Sequence, residues 1–279
     1  MTNFLNAATW VMSASDDIVG EIQYVNPQMG ETLSDAGIRF DIGYYEMVRA
    51  NPDVDPLRPL SSRTRLLIPS QYVLPEGPRQ GIVINLAEYR LYFYPPNDNV
   101  VITMPVGIGR KGWSTPVGLT KVTGKARDPV WHPTDNVKAA GEKNGTIVPE
   151  AFPGGEGNPL GRHVLRLGWP TYLIHGTNRR DGVGQRVSAG CIRMMPEDIE
   201  YLFELVSTGT PVRVINEPVK LGKLQGDIYL EAHPLLDKRH RSNLQSLIAR
   251  KLAHIAGNKN NKVISKEAAL PSGIPRKIS

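Results

Sequence analysis

One cysteine, Cys191, occurs in the chain of 279 residues, and a histidine, His175, lies sixteen residues before it. A thiol attacks a carbonyl carbon as its thiolate, and a free cysteine is only a few per cent ionised near neutral pH. A neighbouring imidazole, a positive charge or oriented backbone N–H groups raise that fraction. The segment from His175-Gly176-Thr177-Asn178 to Ser188-Ala189-Gly190-Cys191-Ile192-Arg193 contains all three kinds of group. His175 is the candidate base, and Arg193 is a cation two residues beyond the thiol. Gly190 permits a tight turn and the close approach of a substrate carbonyl, and backbone N–H groups around Cys191 are candidates for an oxyanion hole. Ser188 and Asn178 read as substrate or loop contacts. Residue types alone leave two readings open: a nucleophile with its base, or a buried thiol acting as a small hydrophobe beside an unrelated imidazole.

Joining the two residues requires a strand that ends at His175 and a loop that folds back. "TYLIHG" fits such a strand, and Gly182, Gly184 and Gly190 give the following loop its freedom. Further strands are expected in "GIVINLAEYRLYFYPPNDNVVITMPVGIG", where Ile82, Ile84 and Leu86 alternate, as do Leu91 and Phe93, and Val101 and Thr103. "GLTKVTG", "HVLRLG" and "PVRVI" add three more. The clearest helix is "PEDIEYLFELVSTG". Pro196 suits its first turn, and Glu197 and Asp198 suit the positive end of its dipole. Ile199, Leu202, Phe203 and Val206 form one apolar face, and Gly209 ends the segment. Residues 81–216 are therefore expected to be mostly antiparallel β structure with one main helix.

Upstream, residues 1–20 form an N-terminal segment with a short apolar run and no basic start, a poor signal peptide as written. Residues 21–73 have a β-α-α-β order, with Gly37 inside the first helix at a cost of about 1 kcal/mol against alanine. "LPEGPRQG", residues 74–81, has the composition of a linker. Residues 217–279 form a basic extension. In it Leu244, Leu247, Ile248, Leu252 and Ile255 make a helical stripe that packs on the domain or lies on a membrane surface, and "NKNNK" is expected to be mobile. No run of apolar residues is long enough for a transmembrane helix. A net charge of +6 favours polyanions, but no basic run interleaved with aromatics points to nucleic acid. His132, His163, His233, His240 and His254 show no metal-ligand spacing, so neither a metal nor another cofactor is expected.

Several separated motifs, in order, resemble the YkuD-type L,D-transpeptidase catalytic domain. These are "GRKGWSTPVG", "DPVWHP", "NPLGRHVLRLG", His175-Gly176-Thr177 and the segment ending in Gly190-Cys191-Ile192-Arg193. Residues 21–73 resemble a LysM module through Gly30-Glu31-Thr32-Leu33, Ala50-Asn51-Pro52 and Leu66-Leu67-Ile68-Pro69. The expected fold is thus a mainly β catalytic domain, a YkuD-like sandwich or barrel with one main helix, plus a small βααβ LysM-like domain and a helical C-terminal tail. The resemblance implies that Cys191 attacks a peptidoglycan stem peptide and forms a thioester, with His175 as base and the Gly176 carbonyl orienting its ring. It assigns Arg193, Ser188, Asn178, Gly190 and Thr177 to substrate binding. An amine, from diaminopimelate or from a lipoprotein lysine, would then take the acyl group. Many relatives carry Ser-His-Gly-Cys, so Ala189 is a departure, and His175 is left as the candidate base in the motif. Water as acceptor gives a hydrolase on the same site, and a non-catalytic peptidoglycan-binding protein is the third reading. The resemblance implies a periplasmic protein, with a signal peptide absent or truncated here, that binds stem peptides and glycan.

Overall fold

The computed structural model describes residues 7–237 and 243–279, which leaves the first six residues and His240 outside. Two compact units are formed: Met1–Met104 with Val214–Ser279, and Pro105–Arg213. The first unit begins with β1 (Ala8–Val11), β2 (Ile18–Gly20) and β3 (Gln23–Val25). Two short helices follow, α1 (Leu33–Arg39) and α2 (Tyr44–Ala50), then β4 (Leu66–Ile68) and β5 (Gln71–Val73). Thr32 caps α1, its Oγ1 accepting from Asp35 N at 3.2 Å, and the Asp35 carboxylate accepts from Thr32 N at 2.9 Å. This reciprocal cap fixes the helix start. Gly37 has a packing reason: a Cβ there would lie 2.8 Å from Ile42 O and 3.1 Å from Met47 Cγ. Glycine costs α1 some intrinsic stability but lets it close on α2. β3 pairs antiparallel with β4, and β2 with β5, which gives the β-α-α-β order read from the sequence.

The same unit continues with β6 (Gly81–Asn85), β7 (Arg90–Tyr94) and β8 (Val100–Pro105), in sheet order β1-β8-β7-β6. Every residue of β6 and β7 is buried, so their alternation marks two packed faces, with neither face left to water. On one face Val83, Tyr92, Tyr94 and Val101 join a single apolar cluster with Leu33, Ala36, Met47, Leu66 and Ile68. Arg90 reinforces it: its Nε donates to Glu46 Oε1 at 2.9 Å, and its guanidinium lies over the Tyr72 ring. Residues 76–80 of the Pro/Gly-rich segment are exposed, whereas Leu74 is buried in the same cluster.

The second unit contains β9 (Ile108–Gly109), β10 (Gly118–Arg127), α3 (Asp135–Lys143), β11 (His163–Leu167) and β12 (Leu173–His175). A 3₁₀ turn over Arg180–Gly182 leads to β13 (Arg186–Ser188), β14 (Ile192–Arg193), α4 (Pro196–Leu205) and the start of β15 (Pro211–Ile215), whose last two residues belong to the first unit. The strands run in the order β15-β10-β11-β12-β14. β11 is antiparallel to both β10 and β12, and β14 lies parallel to β12. As expected, α4 has Pro196 in its first turn and buries Ile199, Leu202 and Phe203.

From Val214 the chain is again in the first unit. It forms β16 (Val219–Leu224), β17 (Asp227–Ala232), α5 (Leu244–Leu252), α6 (Asn261–Ala269) and β18 (Arg276–Lys277). The tail is therefore helical, as read, but also holds a three-stranded sheet, β16-β17-β18. Gln225 and Gly226, both at positive φ, make a two-residue hairpin turn between β16 and β17. The apolar stripe of α5 packs with Val219, Leu230 and Ile278, so it is spent on the domain and not on a membrane surface. The "NKNNK" segment is ordered in part: Asn260 caps α6, its Oδ1 accepting from Val263 N at 3.2 Å.

Candidate active site

Parallel pairing of β12 with β14 places His175 opposite Arg193. Register partners project from the same face of a sheet, and residues two apart along a strand share a face. Cys191 is the bend residue immediately before β14. All three line one cavity of about 730 Å³ with Arg110, Trp113, Trp131, Thr171 and Tyr172. The loop between them is fixed at both ends. Gly107 and Arg193 exchange backbone hydrogen bonds of 2.8 and 2.9 Å, and Met194 N donates to His175 O at 2.9 Å.

His175 is buried, and its Nδ1 lies 2.6 Å from the Gly176 carbonyl. A carbonyl oxygen only accepts, so Nδ1 carries the proton and Nε2 keeps its lone pair. Burial, helped by the nearby Arg193 charge, pulls the His175 pKa down to about 4. The ring is neutral at physiological pH. Burial also raises the pKa of the Cys191 thiol, against a backbone hydrogen bond from Leu173 and the Arg193 charge. The resting pair is therefore thiol and neutral imidazole, and an acceptor for the thiol proton is built in.

Ser188 acts on the loop around Cys191. Its Oγ donates to Cys191 O at 2.6 Å and accepts from Gly190 N at 3.1 Å. The Gly190 N–H is thus engaged, which removes it from the set of oxyanion donors expected around Cys191. Gly190 has φ of 110°, and a Cβ there would approach Tyr172 Cε1 to 2.9 Å, so the position requires glycine. Its carbonyl accepts from Thr115 Oγ1 at 2.8 Å. Ala189 is exposed at the cavity. Arg193 Nε is buried and has no hydrogen-bond partner among the described residues.

Thr177 and Asn178 are not brought to this cavity. Thr177 Oγ1 closes its own turn by accepting from Arg179 N at 2.9 Å, and Asn178 Nδ2 donates to Gly157 O at 3.0 Å. Both line a second cavity of about 680 Å³ with His163, Glu197 and Glu200. Val164, not His163, pairs with His175, so His163 projects from the opposite face. Residue-type reasoning missed Thr171, Tyr172, Arg110 and Thr115. The Trp169-Pro170 turn signal just before "TYLIHG" was the available pointer to the first two. Trp113 and Trp131 both line the cavity that holds Cys191.

One grouping among the described residues has the make-up of a metal site, Glu88, Glu231 and His233, with ligand atoms within 4.8 Å of one another. Lys220 Nζ already stands 2.6 Å from Glu88 Oε2 and 2.8 Å from Glu231 Oε1. The ammonium supplies the positive charge that the carboxylates require.

A thiol, a neutral imidazole and a guanidinium thus share one cavity. The family model for the YkuD L,D-transpeptidase catalytic domain matches residues 79–214. The probable L,D-transpeptidase YcfS of Escherichia coli (strain K12) is 42% identical over 240 residues, covering 83% of this chain and 75% of that protein. The probable L,D-transpeptidase ErfK/SrfK of Salmonella typhimurium is 42% identical over 218 residues, covering 77% and 70%. For the probable L,D-transpeptidase YbiS of Escherichia coli (strain K12) the identity is 43% over 220 residues, covering 77% and 71%. The chain belongs to the L,D-transpeptidase family and is an enzyme with a YkuD-type catalytic domain.

Proposed function

We propose that Cys191 is the acylated nucleophile and His175 its base, acting on the tetrapeptide stem of peptidoglycan. The supporting observation is the shared cavity: His175, Cys191 and Arg193 line it together, and the Nδ1–Gly176 hydrogen bond leaves the proton of the His175 ring on Nδ1. On attack, the thiol proton passes to Nε2 as sulfur bonds to the carbonyl carbon that precedes the terminal D-residue. The resulting imidazolium returns the proton to the leaving amine, and a thioester remains on Cys191. Arg193, with a buried Nε free to donate, is placed to meet a substrate carboxylate or carbonyl. Ser188 and Gly190 hold the Cys191 loop in shape. An amine then attacks the thioester, with His175 as base again. Diaminopimelate of a second stem gives a cross-link, and a lipoprotein lysine gives an anchored protein. Periplasmic location follows from that substrate. Residues 21–73 serve as a LysM-like glycan-binding module, and residues 81–216 as the catalytic domain.

Incubation with disaccharide-tetrapeptide stems, followed by mass spectrometry, tests this. The expected result is loss of the terminal D-amino acid, an adduct on Cys191 and dimer or exchange products. Absence of an adduct, or equal turnover by Cys191→Ala, overturns the assignment. Hydrolysed monomer without dimer or exchange reassigns the acceptor to water. Retention of the protein on insoluble peptidoglycan, lost on substitution of exposed residues within 21–73, tests the module.

A further inference from the structure

The hairpin between β11 and β12 turns through Trp169-Pro170-Thr171-Tyr172, closed by Tyr172 N donating to Trp169 O at 3.3 Å. Proline presets the second position of such a turn, and the third takes positive φ, where glycine or asparagine is usual. Here a β-branched residue occupies it: Thr171 has φ of 68°. Backbone strain of this kind persists only where surrounding structure holds it, and it gathers at working sites. The carbonyl of this strained residue is the acceptor for the Cys191 thiol, at 3.5 Å from Sγ. Thr171 also lines the cavity that holds His175. Among the described residues the thiol donates to Thr171 O and makes no hydrogen bond to His175.

We propose that the 169–172 turn is a latch on the nucleophile: the Thr171 carbonyl holds the Cys191 S–H away from His175 until a backbone N–H of the bound substrate takes over that carbonyl. The S–H then turns to His175 Nε2, which accepts the proton and leaves the thiolate facing the substrate carbonyl. Thr171 is a positioning residue, acting through Cys191. A hydrogen bond donated by the thiol favours its neutral form, so the latch keeps the free enzyme's cysteine unreactive. The substrate half of this inference rests on the peptide-stem reading above. The resting half does not.

Alkylation of the free enzyme by iodoacetamide across a pH range reads the resting half directly. Thr171→Pro forces φ to the negative region and swings the carbonyl off sulfur. Cys191 should then alkylate about fivefold faster near neutral pH, the factor that corresponds to one ordinary hydrogen bond, with its titration midpoint moved down. Thr171→Gly keeps positive φ and should restore the wild-type alkylation profile. If Thr171→Pro does not give the wild-type near-ultraviolet circular dichroism, Pro170→Gly/Thr171→Val, which removes the preset and disfavours positive φ, takes its place with the same expectation. A folded variant with displaced turn and an unchanged profile overturns the latch, as does an equal shift in Thr171→Gly. With stem peptide as substrate, loss of the carbonyl should raise KM. An unchanged KM removes the substrate from the release step. Wild-type enzyme that alkylates at Cys191 but is not acylated by stems rejects the peptide-stem reading and leaves the resting latch to the alkylation arm.

Discussion

Two buried imidazoles divide the chemistry of this molecule. His175 has its pKa held at about 4 and His233 at about 3, each chiefly by burial. Each ring has one nitrogen engaged by a close acceptor, Gly176 O at 2.6 Å for His175 and Glu231 Oε1 at 2.7 Å for His233. What differs is where the other nitrogen is. In His175 the other nitrogen belongs to a ring that lines an open cavity with a thiol. In His233 it is Nδ1, buried without a partner behind Gly273. The second cluster is closed. Lys220 Nζ donates to Val73 O and Glu88 Oε2, both at 2.6 Å, and Glu231 Oε2 accepts from Val73 N at 2.6 Å. Burial opposes the Lys220 charge, but Glu231 and Glu88 more than offset it, and its pKa is raised. A strongly shifted pKa thus marks burial in both places. Only access joined to an uncommitted lone pair marks a reactive site.

Substitutions at the two clusters should therefore fail differently. His175→Ala is expected to lower kcat by about 10²- to 10⁴-fold with little change in stability, the usual range for a lost acid–base group. Wild-type kcat/KM should stay level as pH falls through 6.5 and drop only near 4, because a depressed pKa keeps the base neutral to lower pH. A limb at 6.5 would mean that the working imidazole is not the buried one. Lys220→Met leaves Glu88 and Glu231 buried without their cation, and chemical denaturation should show a loss of about 3–5 kcal/mol. The alkylation rate of Cys191 in the folded fraction should not move. A rate change there would couple the clusters and undo the contrast. Ser188→Ala removes both hydrogen bonds that shape the Cys191 loop, costing about 1 kcal/mol in stability and about tenfold in kcat/KM through misplacement. Asn178→Ala should change stability by no more than about 0.5 kcal/mol and leave turnover near wild type. A large loss of turnover would place Asn178 among the substrate contacts despite its distance from the Cys191 cavity.

Residues with local signals were the legible ones. Pro196, Glu197 and the apolar spacing of Ile199, Leu202 and Phe203 announced α4 without reference to anything distant. Thr32 and Asp35 belong to a start motif of the same kind. The pairing of His175 with Cys191 was legible through motif order, since periodicity carries no information on where a sixteen-residue loop returns. Thr177 and Asn178 line a different cavity from His175, because adjacency in sequence does not fix the face from which a side chain projects. The β16–β17 hairpin went unread because Gln225-Gly226 stands where Asn-Gly or Asp-Gly usually signals a two-residue turn. Lys220 and Glu231 were invisible as a buried pair: each sits in a strand that reads as half-solvated, and their common partner, Val73, is far away in sequence.

That distance has a consequence for how the chain reaches its native state. Val73 N meets Glu231 Oε2 across a separation of 158 residues, and Lys220 reaches Val73 O across 147. Pro105–Arg213, by contrast, is one uninterrupted stretch. In a chain emerging from its N-terminus, every residue of that stretch is present before Lys220 and Glu231 exist. The strand β5 can therefore be fastened only after Pro105–Arg213 has been made. Long-range pairing carries a loop-closure cost, and the clamp on Val73 carries it across more than half of the chain.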